Sequence, residues 1–487
     1  MADKKDSKDS GKKDGFVQHL TPRDVDFAQW YTDVVTLTDL MDYAPIRGCM
    51  VVKPYGCAIW ERIQHELDSR FHATGHENVM MPMLIPESLL MKEAEHVEGF
   101  APEVAWVTMG GKEVLPEKLA IRPTSEVLFG VMYAKWLHSW RDLPFKYNQW
   151  CSVMRWEKTT RPFLRTAEFW WQEGHTLHET AEEAQDETLQ MLEVYRETCE
   201  DAIAMPVYTG RKSESEKFAG AQATYSVEAM MQDGKSLQAG TSHNFGTNFT
   251  KTYDIKFLSR DGVLTHPFGT SWGTSTRLIG ALIMAHGDER GLKLPPQIAP
   301  IQVVVVPVAQ HKEGVLEGAK AVADTLTAAG IRVKFDDRDT VSPGFKFNDW
   351  ELKGVPIRLE IGPRDLAANQ TVCVRRDNYE KETVSIDGIA ETVKALLKTI
   401  QQGMFDTAKA FMQDRTETVT TFERLTEVVQ RGFAKAMWCG ETSCEDEIKA
   451  KSGAGTRNMP FDQTPFADTC VHCGKPAKHV MYFAKAY

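Results

Sequence analysis

The sequence contains no hydrophobic run that approaches the roughly 18 residues a transmembrane helix needs. Its first residues, MADKKDSKDSGKKDG, alternate lysine with aspartate and include no hydrophobic segment, which argues against a signal peptide. We therefore expect residues 1–18 to be a disordered charged tail and the protein to be cytoplasmic. In a reducing compartment its nine cysteines should be free or metal-bound rather than paired in disulfides.

Basic residues are not in excess either. The chain has 57 lysines and arginines against 68 acidic residues, a net charge of −11. A generic nucleic-acid binder usually carries a basic surface, so this balance disfavours that class but leaves room for local basic clusters. With 487 residues, of which 42% are hydrophobic, the chain is too long for a single hydrophobic core, and we expect two or three globular domains.

A Walker-type phosphate loop is absent, yet two segments suit a nucleoside triphosphate. Residues 154–175, MRWEKTTRPFLRTAEFWWQEGH, predict a strand, a basic turn and a returning strand. Residues 268–277, FGTSWGTSTR, are glycine-rich and end in an arginine. Arginine forks bind phosphates bidentately, a carboxylate can accept from an adenine amine, and an aromatic ring can stack on a purine. The alternative is a salt-bridged hairpin beside an unrelated glycine-rich loop.

Hydrophobic periodicity predicts the elements around these segments. Apolar residues recur every four positions over 54–72, which indicates an amphipathic helix begun by Pro54 and closed by Gly75. A strand interrupted by Pro82 should follow. We also predict a helix over 179–203 and strands over 224–228, 243–249 and 253–258. Strands in runs, rather than in alternation with helices, predict an α+β domain on an antiparallel sheet.

The pattern changes after the proline-rich stretch 292–300. β-branched runs then alternate with helical segments, beginning with IQVVVVPV and a helix over 314–329, which predicts an α/β domain. We therefore divide the chain into a tail, an α+β domain, an α/β domain and a small C-terminal α+β domain. Their predicted ranges are 1–18, 19–296, 297–400 and 401–487.

The C-terminal region carries a metal-binding pattern. Cys439-x4-Cys444 and Cys470-x2-Cys473 form two close pairs, as in tetrahedral structural zinc sites. Unligated cysteines are the alternative, and either His472 or His479 could replace one sulfur ligand.

The two phosphate-binding candidates and the helix–strand pair resemble the three signature motifs of class II aminoacyl-tRNA synthetases. RWE (155–157), with FLRT and EF after it, is similar to motif 2 and GTSTR to motif 3. The segment from Pro54 through MMPMLIP is similar to motif 1. From about residue 19 to Tyr487, the chain most resembles the prolyl-tRNA synthetases of archaeal/eukaryotic type.

The resemblance implies activation of L-proline by ATP, with Mg²⁺, and transfer of proline to the 3′ end of tRNA(Pro). It also implies a class II catalytic domain, an anticodon-binding domain, a zinc-binding C-terminal domain and a homodimer formed through motif 1. A class II synthetase for threonine, serine or glycine is one alternative. A non-catalytic, synthetase-like RNA-binding protein is another.

The same resemblance assigns site residues. Arg155 and Arg277 would be catalytic. The expected proline contacts are Thr124, Glu126, Arg155, Trp171, Glu173, His175 and His243. The expected ATP contacts are Arg155, Glu157, Arg165, Thr166, Phe169, Gln238, Thr241, Ser275 and Arg277. From the residues alone, RPTSE (122–126) also fits a helix cap, and a lone histidine such as His243 is more often structural.

The anticodon contacts are expected in the α/β domain, within 338–365. They are Lys346, Phe347, Trp350, Glu351, Glu360 and Arg364, with Arg358 and Asp365 as further candidates. Such groups can stack on and hydrogen-bond to splayed RNA bases. For Phe347 and Trp350 a place in the hydrophobic core is the alternative.

Overall fold

The computed structural model describes residues 20–96 and 103–487, with only the backbone considered at 92–96. The predicted charged tail lies outside the described residues. Within the described part, no helix has both the length and the apolar character needed to cross a membrane.

The N-terminal region is built on one large sheet. Its helices are α1 (Phe27–Leu37), α2 (Pro54–Ala73), α3 (Glu87–His96), α4 (Glu126–Trp136), α5 (Ala181–Glu197), α6 (Asn248–Thr252) and α7 (Arg277–His286). Its strands are β1 (Met41–Tyr43), β2 (Met50–Val52), β3 (Glu77–Asn78), β4 (Leu84–Pro86), β5 (Trp106–Gly110), β6 (Glu113–Ile121), β7 (Phe145–Met154), β8 (Glu168–His178), β9 (Val207–Arg211), β10 (Ala223–Met230), β11 (Ser236–Gly246), β12 (Phe257–Leu258), β13 (Leu264–Thr265) and β14 (Phe268–Ser275).

The order in the main sheet is β9-β10-β11-β14-β8-β7-β3. Every neighbouring pair is antiparallel except β3 with β7 at one edge. The predicted antiparallel α+β architecture is therefore confirmed. Motifs 2 and 3 lie on adjacent strands, because β8 pairs with β14 from Phe268↔His178 to Ser275↔Trp171.

The periodicity prediction for α2 is confirmed in detail. Pro54 occupies its first turn, where a missing N–H costs nothing, and Gly75 lies just beyond its end with a φ of +82°. The apolar stripe is buried in the main core at Ile59, Ile63, Leu67 and Phe71. Each such side chain contributes about 1.5–3 kcal/mol of transfer free energy.

Three strand predictions were wrong in extent. The run around Pro82 is split into the short strands β3 and β4, since proline cannot donate to a ladder. The strand predicted over 243–249 ends at Gly246, whose φ is +55°, and α6 follows. Of the strand predicted over 253–258, only Phe257–Leu258 forms.

The following region has an α/β fold, as predicted. Its strands are β15 (Val303–Pro307), β16 (Val333–Phe335), β17 (Ile357–Ile361), β18 (Gln370–Arg375) and β19 (Lys381–Ser385). Its helices are α8 (Val315–Ala328), α9 (Pro343–Leu352), α10 (Pro363–Ala367) and α11 (Ile389–Asp414). The sheet order is β16-β15-β17-β18-β19, parallel over the first three strands and antiparallel beyond. α11 crosses the predicted boundary at residue 400 and leads into the C-terminal region.

The C-terminal region adds a mixed sheet and one strand to the main sheet. Its elements are β20 (Thr416–Val419), α12 (Phe422–Val428), β21 (Phe433–Trp438), α13 (Thr442–Ser452), β22 (Gly455–Thr456), β23 (Met459–Pro460) and β24 (His479–Ala484). Its sheet has the order β20-β21-β24-β22. β23 instead pairs with β9, which joins this region to the edge of the main sheet.

A buried ion-pair cluster fixes the α/β region against the N-terminal region. Arg376 binds Asp288 through both terminal nitrogens, at 2.9 and 2.8 Å, and donates to the Glu351 carbonyl. Lys293 lies 3.0 Å from the same carboxylate, and the Tyr379 hydroxyl donates to it.

Candidate active site

A cavity of about 360 Å³ is lined by β8, β10, β11 and β14 and by the loops around them. It brings together eleven of the predicted site residues: Thr124, Glu126, Arg155, Phe169, Trp171, Glu173, Gln238, Thr241, His243, Ser275 and Arg277. Four predicted residues do not line it: Glu157, Arg165, Thr166 and His175.

Strand alternation explains why β8 supplies so much of the wall. Phe169, Trp171 and Glu173 are two residues apart, so their side chains project from the same face of the sheet. Gly174 is offset by one residue and so faces the other side of β8, where it pairs with Trp272 of β14. A Cβ at Gly174 would lie 2.2 Å from the Trp272 ring, so glycine is required for the two strands to pack.

Two buried carboxyl groups form one end of the cavity. Glu173 accepts from Gln149 Nε2 at 2.7 Å and from the Ser125 N–H at 3.1 Å. Burial opposes ionisation of Glu173, but hydrogen bonds from His175, Ser125 and Gln149 outweigh it and lower the pKa. Burial raises the pKa of Glu126 against the effect of His175, and the Glu173 charge adds to the rise. The pair thus favours a cationic ligand, which would let both groups ionise.

The residues around Glu126 do not form the helix cap that RPTSE allowed. α4 begins at Glu126, but the preceding Ser125 makes no side-chain cap bond. The Thr124 hydroxyl donates instead to the Glu126 carboxylate and lies 3.3 Å from Glu173.

Arg155 and Arg277 bring unpaired positive charge to the cavity. Arg155 Nε donates to the Pro123 carbonyl at 3.1 Å, and its guanidinium lies 5.4 Å from the Phe169 ring centre and 5.5 Å from that of Trp171. Arg277 Nε donates to the Leu164 carbonyl at 3.2 Å. Among the described residues, neither makes an ion pair within 4.0 Å. Burial lowers the pKa of Arg277, and the charges of Arg155 and then Arg165 lower it further.

A β-bulge brings the remaining polar groups to the same face. β10 and β11 shift register between Val227 and Glu228, so that Ala239 is left unpaired and Gln238 lies opposite Glu228. Without this extra residue, Gln238 would face away from Thr241 and His243, because one residue reverses side-chain direction. Sequence reasoning gave no sign of this bulge.

Three of the predicted ATP contacts belong to the motif 2 hairpin but do not line the cavity. Arg165 pairs with Glu157 at 3.8 Å and is 61% exposed, so the salt-bridged alternative holds for this part of the hairpin. Thr166 is buried, and its hydroxyl donates to the Glu168 carbonyl at 2.6 Å.

The histidines take different places. His243 lines the cavity, and its Nδ1 lies 2.9 Å from the Thr224 hydroxyl. Burial, with Lys212 nearby, lowers the pKa of His243 to about 3, so the imidazole is neutral near pH 7. His175 lies behind the wall, stacked on Phe129 at 4.2 Å, with Nε2 3.3 Å from Glu173. It supports Glu173 and does not line the cavity.

One wall of the cavity was missed from the sequence. Lys212, Glu216 and Phe218 of the loop 212–218 line it, together with Thr224. In the sequence, KSESEKF has the composition of an ordinary solvated loop, and no spacing marks it as part of a site.

Two predicted anticodon residues are corrected, because their side chains are buried. Lys346 is 1% exposed and donates to the Asp336 carbonyl at 3.0 Å. The Trp350 indole N–H donates to the Asp336 carboxylate at 2.7 Å, so the core alternative holds for Trp350.

The other anticodon candidates differ in their accessibility. Phe347 is half-buried beneath the Arg358 guanidinium, at 4.5 Å. Arg358 also binds Glu360 at 2.9 Å and lies 3.8 Å from Glu351. Arg364 is exposed and has no ion-pair partner among the described residues. Asp365 accepts from the Gly362 N–H at 2.8 Å and so caps α10.

The four predicted zinc ligands meet as a cluster. Cys444 and Cys470 have their sulfurs 3.7 Å apart, and those of Cys439 and Cys473 are 3.6 Å apart. These spacings exceed a disulfide bond and match the edge of a ZnS₄ tetrahedron, about 3.8 Å for Zn–S bonds of about 2.3 Å. His472 Nδ1 lies 3.6 Å from the Cys444 sulfur, outside the four-sulfur set. The donor set fits a structural zinc ion.

Known families match all three regions. The family model for the tRNA synthetase class II core domain (G, H, P, S and T) matches residues 111–286. The anticodon binding domain matches 302–396, and the prolyl-tRNA synthetase C-terminal family matches 422–487.

Full-length relatives agree with the family models. The proline–tRNA ligase of Alkaliphilus oremlandii (strain OhILAs) is 62% identical over 98% of this chain and 100% of its own. That of Acetoanaerobium sticklandii is 59% identical with the same coverage. Proline–tRNA ligase 2 of Clostridioides difficile (strain 630) is 56% identical over 97% of this chain and 98% of its own. This chain therefore belongs to the proline–tRNA ligase family of class II aminoacyl-tRNA synthetases.

Proposed function

We propose that this protein activates L-proline with ATP to prolyl-adenylate and pyrophosphate, and then transfers proline to the 3′ end of tRNA(Pro). The observation that carries the proposal is one cavity lined both by arginines without an ion-pair partner among the described residues and by a buried carboxyl pair. Such a cavity complements an anionic nucleotide next to a zwitterionic amino acid.

Arg155 lies between the two halves of the proposed site. A carboxylate oxygen of proline would attack the α-phosphorus, and the bond to the bridging oxygen of pyrophosphate would break. Pyrophosphate would leave with the bonding electron pair. Negative charge grows on the phosphate oxygens in this step, and a preoriented cation stabilises it. The Pro123 carbonyl and the rings of Phe169 and Trp171 hold the Arg155 guanidinium for that purpose. No side chain acts as a nucleophile, so the proposed catalysis is positioning and electrostatics.

The remaining nucleotide contacts follow from the same placement. Arg277 and Arg165 would bind the β- and γ-phosphates, with Arg277 also over the purine. Phe169 would stack on the adenine and Glu157 would accept from its amine. Short polar contacts would come from Thr241 and Ser275, whereas Thr166 would act by shaping the turn.

Magnesium is the expected partner of ATP in this class. Gln238 lies on the cavity face, opposite the buried Glu228. The Glu228 Oε1 atom makes no hydrogen bond among the described residues, and Lys212 lies 3.8 Å from it. A carboxylate oxygen without a hydrogen bond, across from an amide, suits a hard cation, which would neutralise phosphate charge when bound. Gln238 would hold it, with Glu228 behind.

The carboxyl pair would recognise the proline ammonium. Thr124 and Glu126 would accept hydrogen bonds from it, with Glu173 as the ionised partner, and His175 would act through Glu173. Trp171 offers the pyrrolidine ring a flat apolar face, and His243 closes the pocket as a neutral imidazole. Such a pocket separates ring sizes poorly, since one methylene is worth only about 1–3 kcal/mol. We therefore expect weak activation of alanine and cysteine.

The described stretch from β8 to β14 holds strands of the main sheet, the β12–β13 hairpin, α5 with the helical turn Thr198–Ala202 after it, α6 and short connections. It has no room for the additional editing domain of the bacterial form, which supports the archaeal/eukaryotic type. We expect mischarged alanyl-tRNA to persist, and rapid clearance by the purified enzyme would contradict this.

The proposal also covers anticodon binding, the oligomeric state, the metal and the cellular compartment. The α/β region would bind the anticodon through Phe347, Glu351, Glu360 and Arg364. A homodimer through the motif 1 region is supported by the exposed apolar side chains of Met80 and Met83 in that segment. Zinc would be structural, because four thiolates leave no open coordination position. The expected compartment is the cytoplasm.

The test is amino-acid-dependent ATP–pyrophosphate exchange with each of the twenty amino acids, without tRNA. We expect strong exchange with proline and weak exchange with alanine or cysteine. Exchange only with threonine, serine or glycine would overturn the substrate. No exchange from folded protein would favour a non-catalytic RNA-binding role. Charging of a tRNA(Pro) transcript then tests the second step.

A further inference from the structure

The loop 212–218, which forms one wall of the cavity, is fastened from the C-terminal region. Lys212, Glu216 and Phe218 of this loop line the cavity. The Phe218 N–H donates to the Thr224 hydroxyl at 2.9 Å, and the same hydroxyl lies 2.9 Å from His243 Nδ1. The loop position therefore fixes both a wall of the site and the orientation of His243.

Glu445, on α13, makes the fastening. Its carboxylate is 4% exposed and accepts from Ser213 at 3.0 Å, from Ser215 at 2.6 Å and from Thr456. No lysine or arginine among the described residues pairs with it. Lys449, one turn further along α13, adds a 3.7 Å ion pair to Glu216.

The base of the loop is held from the same side. β23 pairs with β9, which runs directly into the loop. A Cβ at Gly210 would lie 2.1 Å from the Met459 carbonyl oxygen, so the two backbones are as close as they can be. The Asn458 amide donates to the Tyr208 carbonyl at 3.1 Å. The loop 212–218 is therefore held in a fixed position, and the buried Glu445 carboxylate is the group that binds it.

We propose that Glu445 is a positioning residue for proline binding, acting through Ser213 and Ser215 on the 212–218 wall. The inference rests on the proposed function. Glu445 follows Cys444 directly, so of two adjacent residues on one helix, one belongs to the cysteine cluster and the other binds the loop that lines the cavity. Formation of the metal site and formation of the proline pocket would share α13.

Steady-state exchange kinetics of Glu445→Gln test this. The substitution keeps the shape but removes the charge that three hydroxyls bond to. We expect the KM for proline to rise about tenfold, as for loss of hydrogen bonds to a buried charge. The KM for ATP and kcat should stay within about twofold of wild type, and the zinc-to-protein ratio should not change. Asp446→Asn, an exposed neutral substitution on the same helix, is the matched control.

A purely structural role would lower kcat and raise both KM values together, which would overturn the proposal. So would an unchanged proline KM. If Glu445→Gln does not fold, Ser215→Ala removes an exposed partner hydroxyl and should raise the proline KM about threefold. In a double variant, Ser213→Ala should add little to Glu445→Gln, because both break one contact. Absence of proline exchange in wild type would overturn the proposed function instead, so the two failures are distinguishable.

Discussion

Arginines in the cavity and at the interdomain contact are held in opposite ways. Arg155 and Arg277 each donate to a single backbone carbonyl and have no carboxylate partner within 4.0 Å among the described residues. Arg376 instead binds Asp288 with both terminal nitrogens and is 4% exposed. The difference teaches that pairing, not residue type, separates charge kept for a ligand from charge that holds the fold. Burial, and then the like charges of Arg155 and Arg165, lower the pKa of Arg277, and a bound polyanion would relieve the repulsion.

The largest expected effect is the loss of activity in Arg155→Ala. Removing one preoriented donor should lower the exchange rate about 10²–10³-fold, equivalent to about 2.7–4 kcal/mol in the barrier. Stability should change little, because the substitution removes one hydrogen bond to a carbonyl and two cation–π contacts, and breaks no ion pair. Lys158→Ala is the control: it removes an 84% exposed charge from the same hairpin and should leave exchange unaltered. Equal losses of exchange activity in Arg155→Ala and Lys158→Ala would contradict this expectation.

Arg376→Ala should lower stability and leave activity nearly unchanged, the reverse of Arg155→Ala. It leaves Asp288 with Lys293, Tyr379 and the Arg290 N–H as partners, and breaking a buried pair costs about 3 kcal/mol. We expect a clearly lower unfolding temperature by calorimetry, while exchange per folded molecule stays close to wild type. Arg424→Ala, which breaks only exposed ion pairs, should shift the midpoint far less.

The loss of folding stability at acid pH should depend on Asp288. Burial would raise its pKa, but Arg376 and Lys293 outweigh burial and hold it below the ordinary value. A lowered folded-state pKa stabilises above the unfolded value of about 3.9, and that stability disappears as pH falls further. Unfolding midpoints of wild type and Asp288→Asn should therefore differ by a constant amount from pH 5 to 8. The gap should begin to narrow as pH falls below about 4, and should close only as pH approaches the lowered folded-state pKa. A gap that stays constant throughout the acid range would contradict the assignment.

Arg165→Ala should have the smallest effect. Its side chain is 61% exposed and its pairing with Glu157 at 3.8 Å is loose, so the unfolding temperature should not move measurably. As a proposed phosphate contact outside the cavity wall, it should raise the KM for ATP several-fold and leave that for proline unchanged. A rise in the proline KM alone would contradict the assignment of Arg165 to the ATP phosphates.

Much of this arrangement could be predicted from the sequence, because the motifs are local. RWE, GTSTR and the cysteine pairs each lie on one element or turn, and the helix over 54–72 has its own period and its own ends. The bulge at Ala239 and the burial of Lys346 could not be predicted, since both depend on contacts with another element and not on a local pattern. The loop 212–218 escaped for the same reason: Glu445, more than two hundred residues later, gives it a fixed position.

The most direct test compares Arg155→Ala with Arg376→Ala in proline-dependent ATP–pyrophosphate exchange, normalised to the folded fraction at the assay temperature. The account predicts that Arg155→Ala loses at least about a hundredfold while remaining as stable as wild type. Arg376→Ala should retain nearly full activity in whatever fraction is folded. Full exchange in folded Arg155→Ala, or a comparable loss in folded Arg376→Ala, would contradict the claim that the unpaired arginines carry the chemistry.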